Sequence, residues 1–209
     1  MGKKIIPEPT IKRLSMYFGY LRQLYENGVT TTSSQELADY FGLNPAQVRR
    51  DIASFGQFGK RGSGYPVEDL TWQIAEALGI HKVRKAVVVG AGNLGVAMLA
   101  YQGFDVHGFQ LVAAFDIDTS KVGQKIRGKN CYVLSDLPEF VAKNNIEIAI
   151  LATPAESAQS VLNKIAKAKI KAVLNFTPVQ LNIPEGVKLA SIDLAAKLKT
   201  LSYFLAQQG

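Results

Sequence analysis

The most chemically specific stretch of the chain is Gly90-Ala91-Gly92-Asn93-Leu94-Gly95, which follows a β-branched run ending at Val89 and precedes a helical pattern reaching Tyr101. A strand that turns through three glycines at this spacing into a helix is suited to hold a pyrophosphate. Gly90 permits the tight turn, Gly92 lets phosphates approach the main chain, and Gly95 lets helix and sheet close up. The helix N-terminus adds free amides and a partial positive charge. A second strand, Gln110 to Phe115, runs into Asp116, 21 residues beyond Gly95. A carboxylate there accepts from both hydroxyls of an adenosine ribose and repels a 2′-phosphate, which predicts NAD rather than NADP. Ile117, Asp118 and Lys121 follow it and are placed at the adenosine end. Thr153-Pro154 and Asn175-Phe176-Thr177 close two later strands, near 147–152 and 171–175, and are candidate linings of the same crevice.

A second group of residues suits a different ligand. Ser33-Ser34-Gln35-Glu36 reads as a capping box opening a short helix that Gly42 stops, and Asn44-Pro45 opens the next. Two short helices joined by a glycine-containing turn form a helix-turn-helix pattern. In the second helix Val48, Ile52 and Phe55 share an apolar face; Ala46, Arg50, Ala53 and Ser54 lie opposite, flanked by Gln47 and Arg49. Arg donates twice to a guanine edge, Gln reads adenine and alanine permits close approach, so this face fits a major groove. It also fits the solvated side of an ordinary helical hairpin. Residues Gly56 to Pro66 hold four glycines with Lys60, Arg61 and Tyr65, and suit a β-hairpin wing whose cations meet phosphate. Ser33, Ser34 and Asn44 at the helix starts, with Gly62 and Gly64 in the wing, complete the candidate DNA contacts.

The elements that position these groups follow from periodicity. Ile11, Leu14, Phe18, Leu21 and Tyr25 mark a helix ended by Asn27-Gly28, and Val67 to Leu78 reads as a helix with Leu70, Ile74, Ala77 and Leu78 inward. A linker at Gly79 to Arg84 follows, then strands alternating with helices, one of them near 155–168, and a weaker strand at 187–191. The predicted architecture is α/β, with an N-terminal winged helix-turn-helix domain over 1–80 and a Rossmann doubly wound parallel sheet over 81–192. Residues 193–209 carry an amphipathic helix from Asp193 to Gln208, with Leu194, Leu198, Leu201, Phe204 and Leu205 in one stripe. That stripe either packs on its own sheet or docks on a second copy; a homodimer suits a protein reading palindromic half-sites.

Composition removes other classes. The single cysteine, Cys131, excludes an intramolecular disulfide framework and a cysteine-rich zinc site, and two histidines, His81 and His107, argue against a multi-histidine metal centre. The N-terminus lacks an apolar signal core, and the apolar stretch from Ala86 to Tyr101 is short and broken by glycines, so no membrane segment and a cytoplasmic location are expected. The net charge of +7 divides into +1 over residues 1–80 and +6 over 81–209. The case for DNA therefore rests on local charge: Arg49, Arg50, Lys60 and Arg61 against Asp51. Little chain remains beyond the dinucleotide fold to hold a substrate, and Tyr101, Lys121 and Asp193 form no acid–base constellation. A binding protein is predicted over the alternatives, a small NAD-dependent oxidoreductase with an accessory N-terminal domain, or a sheet tuned to coenzyme A.

The string Phe55-Gly-Gln-Phe-Gly-Lys-Arg-Gly-Ser-Gly-Tyr65, after Gln47-Val-Arg-Arg-Asp51 and before Val87-Val-Val-Gly-Ala-Gly-Asn-Leu-Gly95, resembles the Rex family of bacterial redox-sensing transcriptional repressors. The likeness continues through Leu174-Asn-Phe-Thr-Pro178 and the terminal helix. It implies a homodimer that binds double-stranded operator DNA when NADH is scarce and leaves it when NADH accumulates, with NADH and NAD⁺ as ligands. It further implies that the terminal helix is exchanged between subunits, that Tyr101 lies near the nicotinamide and that Asp193 lies near the interdomain contact.

Overall fold

The structure, a computed structural model, describes residues 6–56 and 64–207. The chain divides into two compact units, Met1–Lys82 and Val83–Gly209.

In the first unit, helix α1 (Glu8–Glu26) buries Thr10, Leu14, Tyr17 and Leu21, while Ile11 and Tyr25 are exposed. The inward stripe is thus turned from the predicted one, because Tyr17 replaces Phe18 at its centre and its phenol finds a buried partner, Asp51. Strand β1 (Thr31–Thr32) leads into α2 (Ser34–Phe41), whose start is a capping box: Ser33 Oγ accepts from the Glu36 amide at 3.1 Å and the Glu36 carboxylate accepts from the Ser33 amide at 2.8 Å. Gly42, at φ +64°, ends it, and Asn44 Oδ1 accepts from the Ala46 amide at 2.8 Å to start α3 (Pro45–Ala53). Beyond residues 57–63, β2 (Tyr65–Pro66) pairs antiparallel with β1 and α4 (Val67–Leu78) closes the unit. Gly64 allows this pairing: a Cβ there would stand 2.6 Å from the Thr32 carbonyl oxygen. Leu14, Tyr17, Leu21, Leu37, Val48, Ile52, Leu70 and Ile74 form one cluster, with Ala75 turned inward where Ala77 was expected.

The second unit begins with β3 (Arg84–Val89), so Arg84, expected in a linker, opens a strand and pairs with Glu147. There follow α5 (Asn93–Ala100), α6 (Gly103–Val106), β4 (Phe109–Asp116), β5 (Lys125–Ile126), β6 (Lys129–Val133) and α7 (Leu137–Asn144). Then come β7 (Ile148–Leu151), α8 (Ala155–Lys167), β8 (Ala172–Asn175), β9 (Lys188–Ser191) and α9 (Leu194–Ala206). The sheet order is β5-β6-β4-β3-β7-β8-β9, with β5 antiparallel to β6 and every other pairing parallel. The chain thus winds one way from β3 to β6 and the other from β7 to β9, leaving a crevice between β3 and β7 at the C-terminal strand ends. Period-two alternation gives two cores: Val87 and Val89 face a cluster with Phe115, Leu137, Leu162 and Ile165, whereas Ala86 and Val88 face Ala91, Leu99 and Leu111.

Helix α9 packs on neither core. Asp193 caps it, accepting from the Ala196 amide at 2.9 Å, and every described residue of the helix is exposed, Leu198 at 67% and Leu205 at 71%. Within the chain, then, the apolar stripe does not pack on its own sheet.

Candidate functional site

A cavity of about 350 Å³ opens at the switch between β3 and β7. Its wall brings together seven of the residues singled out in the sequence: Gly90, Gly92, Asp116, Ile117, Lys121, Thr153 and Pro154. A larger recess, about 700 Å³, lies at the opposite strand ends beside Lys85 and Glu147. It is the wrong end of a parallel sheet, where ligands sit outside the carboxyl ends of the strands.

The glycine turn is built for close approach. Gly90 sits at φ +102°, and a Cβ there would lie 2.5 Å from the Ala152 carbonyl oxygen. A Cβ on Gly95 would collide with the Gly90 carbonyl, so α5 rests directly on the turn. A Cβ on Gly92 would meet nothing within 4 Å; this open space, at the N-cap of α5, is where a phosphate group fits against the amides. Thr153 Oγ1, in the cavity wall, is buried with no hydrogen-bond partner. Leaving such a hydroxyl unpaired costs about 1–3 kcal/mol, a cost that a polar ligand group removes. The residues present therefore fit a dinucleotide.

Asp116 departs from its expected use. Its Oδ2 accepts from the Ala91 amide at 2.7 Å and from Lys121 Nζ at 3.3 Å, and its Oδ1 accepts from the Asp118 amide at 2.9 Å. Burial pushes the carboxyl pKa up, but the Asp118 and Ala91 amides and the Lys121 ammonium outweigh it and hold it below the usual carboxylate range. Of about four acceptor positions on a carboxylate, three are engaged, leaving capacity for one ribose hydroxyl rather than two. The charge is nevertheless fixed at the strand end. Asp118 serves mainly the turn, accepting from the Ser120 amide and hydroxyl. Asn93 and Leu94 lie in the first turn of α5.

Four other residues fall elsewhere. Asn175 and Thr177 are buried, and their polar atoms serve each other: Asn175 Oδ1 accepts from the Thr177 amide at 2.9 Å and hydroxyl at 2.6 Å. Neither lines the cavity, because this turn closes on itself. Phe176 packs into the core beside Ala91 and Leu99. Tyr101, at the C-cap of α5, is 56% exposed and meets Phe104 edge-to-face at 5.0 Å, outside the cavity wall. The sequence reading missed Glu156 and Ser157, which also line the cavity from the start of α8; their place one turn after Thr153-Pro154 was the available signal.

On the first unit, Arg49 and Arg50 are exposed and Ala46, Gln47 and Ser54 partly so. Arg49 donates to Ser34 Oγ at 3.2 Å and Arg50 to Gln47 Oε1 at 2.7 Å, while Gln47 Nε2 donates to Asp51 Oδ1 at 2.9 Å. Asp51 is 1% exposed and also accepts from Arg13 at 2.6 and 2.7 Å, from the Tyr17 hydroxyl at 3.0 Å and from the Thr10 hydroxyl at 3.3 Å. Burial raises the Asp51 pKa, but Arg13, Gln47 and Tyr17 outweigh it and the carboxyl stays below the usual range. Asp51 is therefore not a surface counter-charge but the anchor of α3 on α1. Its position between Val48 and Ile52, on the apolar face, was the signal. Ser33 and Asn44 act as caps, the Ser33 hydroxyl retaining its own proton to donate. Tyr65 is half-buried against the core, and Gly64 braces β2. Lys60, Arg61 and Gly62 lie outside the described residues.

Comparison with known proteins joins the two units. Residues 81–179 match the family "CoA binding domain", and residues 5–53 match "Putative DNA-binding protein N-terminus". The chain is 46% identical over 198 residues to the redox-sensing transcriptional repressor Rex of Carboxydothermus hydrogenoformans, covering 95% of each chain. The crystal structure of RSP in complex with β-NAD⁺ and operator DNA is similar at a TM-score of 0.92 and 38% identity, covering 99% of this chain and 95% of that one. RSP in complex with β-NADH gives a TM-score of 0.87 at 36% identity, covering 99% and 97%. Identity of this order, held end to end through both units, places the chain in the Rex family of redox-sensing transcriptional repressors.

Proposed function

We propose that the chain is a repressor that senses the NADH/NAD⁺ balance, holding palindromic operator DNA as a homodimer and releasing it when NADH binds. In this reading residues 1–80 bind DNA, 81–192 bind NAD(H), and 193–209 supply the helix that pairs two copies. The observation that carries it is the coexistence in one chain of a glycine-turn cavity walled by Asp116 and an arginine-bearing helix face braced from behind. The relatives named above are repressors, and RSP has been crystallised with both nicotinamide ligands and with operator DNA.

Each group has a physical task. The α5 N-terminus and the open space at Gly92 receive the pyrophosphate, Asp116 takes a ribose hydroxyl, and Thr153 supplies an unused hydroxyl. The same carboxylate disfavours coenzyme A, whose ribose carries a 3′-phosphate, so the family name matched by residues 81–179 describes the fold better than the ligand. NADH presents a neutral ring and NAD⁺ a cationic one, so an apolar ring site would penalise the oxidised form by desolvation. Arg49, Arg50, Gln47, Ala46 and Ser54 face the major groove; Ser33, Ser34 and Asn44 meet phosphates at helix starts; Lys60, Arg61, Gly62, Gly64 and Tyr65 supply the remaining DNA contacts. The chain acts by binding, without turnover.

The test is a gel shift of a palindromic operator with NADH and NAD⁺ added separately. NADH is expected to release the DNA and NAD⁺ to leave it bound. Equal effects of both, or steady consumption of NADH with a carbonyl substrate, would overturn the reading.

A further inference from the structure

Asn175 is fully buried at the end of β8, yet it is not part of the cavity wall. All four of its side-chain hydrogen-bonding positions are engaged. The Oδ1 bonds to Thr177 make an Asx turn that ends the strand, which needs the oxygen alone. The amide nitrogen does something separate: it donates across to Ser191 Oγ at 3.1 Å, as well as to the Thr177 carbonyl at 3.3 Å. The Asn175 carbonyl also accepts from the Ile192 amide at 2.8 Å. One buried residue thus holds, by main chain and side chain, the two residues that precede Asp193, the cap of α9.

On its other side Asn175 is tied to the cavity. The amide of Phe176 donates to the Leu151 carbonyl at 3.0 Å, and the Ala152 amide donates to the Val89 carbonyl at 2.9 Å. Val89, Ala152 and Thr153 all line the cavity. Every described residue of α9 is exposed, and the helix follows directly on this junction.

We propose that the Asn175–Ser191 bridge is a positioning device that makes the setting of α9 follow the state of the dinucleotide cavity, and through α9 the way two copies pair on DNA. The inference rests on the repressor reading above. A bound dinucleotide engages Thr153 and the β7 end, Phe176 and Asn175 follow the Leu151 carbonyl, and the bridge carries that displacement into Ser191 and the helix cap. Without the bridge, main-chain bonds still hold β9, so binding survives while its transmission weakens.

The test uses three full-length chains: the parent, Ser191→Ala and Ser191→Thr. Ser191 is exposed, so its substitution leaves the core intact. Operator affinity is measured by fluorescence anisotropy with and without saturating NADH, and NADH affinity by its own fluorescence. For the parent, NADH is expected to weaken DNA binding by about 5- to 150-fold, the usual range of coupling between sites. In Ser191→Ala the two separate affinities stay within about two-fold of the parent, as expected away from both sites, but the coupling factor drops several-fold. Ser191→Thr, which keeps the hydroxyl, restores it. Amide exchange over residues 194–206 changes on NADH addition in the parent and the threonine variant only. An unchanged coupling factor in Ser191→Ala, or a loss of NADH affinity in proportion, overturns the inference. A parent with no coupling overturns the repressor reading instead, and the inference falls with it.

Discussion

Replacing Asp51 by alanine removes the acceptor of five hydrogen bonds, from Thr10, Arg13 twice, Tyr17 and Gln47. Arg13 is left largely buried without its anion, and the Tyr17 hydroxyl, wholly buried, loses its partner. Breaking a buried ion pair from one side costs about 3–5 kcal/mol. A unit the size of Met1–Lys82 has a total stability of roughly 4–12 kcal/mol at the usual ~0.05–0.15 kcal/mol per residue. The substitution therefore removes a large share of what holds this unit folded. Trp72, the one tryptophan, lies on α4 of the same unit, so urea unfolding followed by its fluorescence reports this unit alone. At a slope of about 1 kcal/mol per molar urea, the midpoint should fall by roughly 3 M or more. NADH binding, read separately, should persist, while operator binding disappears with the anchor of α3. A loss below about 1 kcal/mol, the range of an exposed ion pair, would refute the assignment of Asp51 as a buried anchor. The same group sets the acid limit. Its folded pKa is depressed, so its contribution is present above about pH 4 and is lost as the pH falls through the folded value. Tyr17 sets the alkaline one: burial and the Asp51 bond raise its pKa, so its contribution is present below about pH 10 and is lost as the pH rises through the folded value.

Three further outcomes are expected. Gly95→Ala drives a methyl into the Gly90 carbonyl and should abolish NADH binding in a fluorescence titration while leaving operator binding in the absence of NADH intact. Asp116→Asn removes the fixed charge at the ribose and should weaken NADH while relaxing discrimination against NADPH; unchanged preference would take Asp116 out of the site. Leu198→Glu with Leu201→Glu on the exposed stripe of α9 should shift the protein to monomer in sedimentation and reduce operator affinity, since half-sites are then engaged singly.

Where local chemistry dictated structure, the sequence was readable. The capping box at Ser33, the stop at Gly42, the start at Asn44-Pro45 and the limits of α4 each depend on a few adjacent residues, and each formed as expected. The glycine turn and the strand ending at Asp116 were legible for the same reason. What the local sequence did not show depended on contacts distant in sequence. Tyr17 turned inward because Asp51 lies behind it, 34 residues away. Asn175 left the cavity wall because Thr177 and Ser191 offered it partners. Asp116 lost two acceptor positions to amides whose direction only the folded turn defines. The β5–β6 hairpin escaped notice because its turn uses Arg127 at positive φ, where Asn or Asp would have announced it.

The buried pair of Arg13 and Asp51 also changes what the charge distribution means. Counting Asp51 against Arg49 and Arg50 treats all three as facing the same solvent, but Asp51 is compensated by Arg13 on the α1 side. Its outward influence passes instead through Gln47, whose amide donates to Asp51 and whose carbonyl accepts from Arg50. The relay fixes two side chains of the proposed DNA face, which would lower the ordering entropy that flexible side chains otherwise lose on binding. The field at the α3 surface is therefore that of two arginines, one of them pre-aimed, and not of a nearly neutral helix. Residues 1–80, with a net charge of only +1, can present a strongly cationic face when the carboxylate nearest their arginines is turned inward and paired.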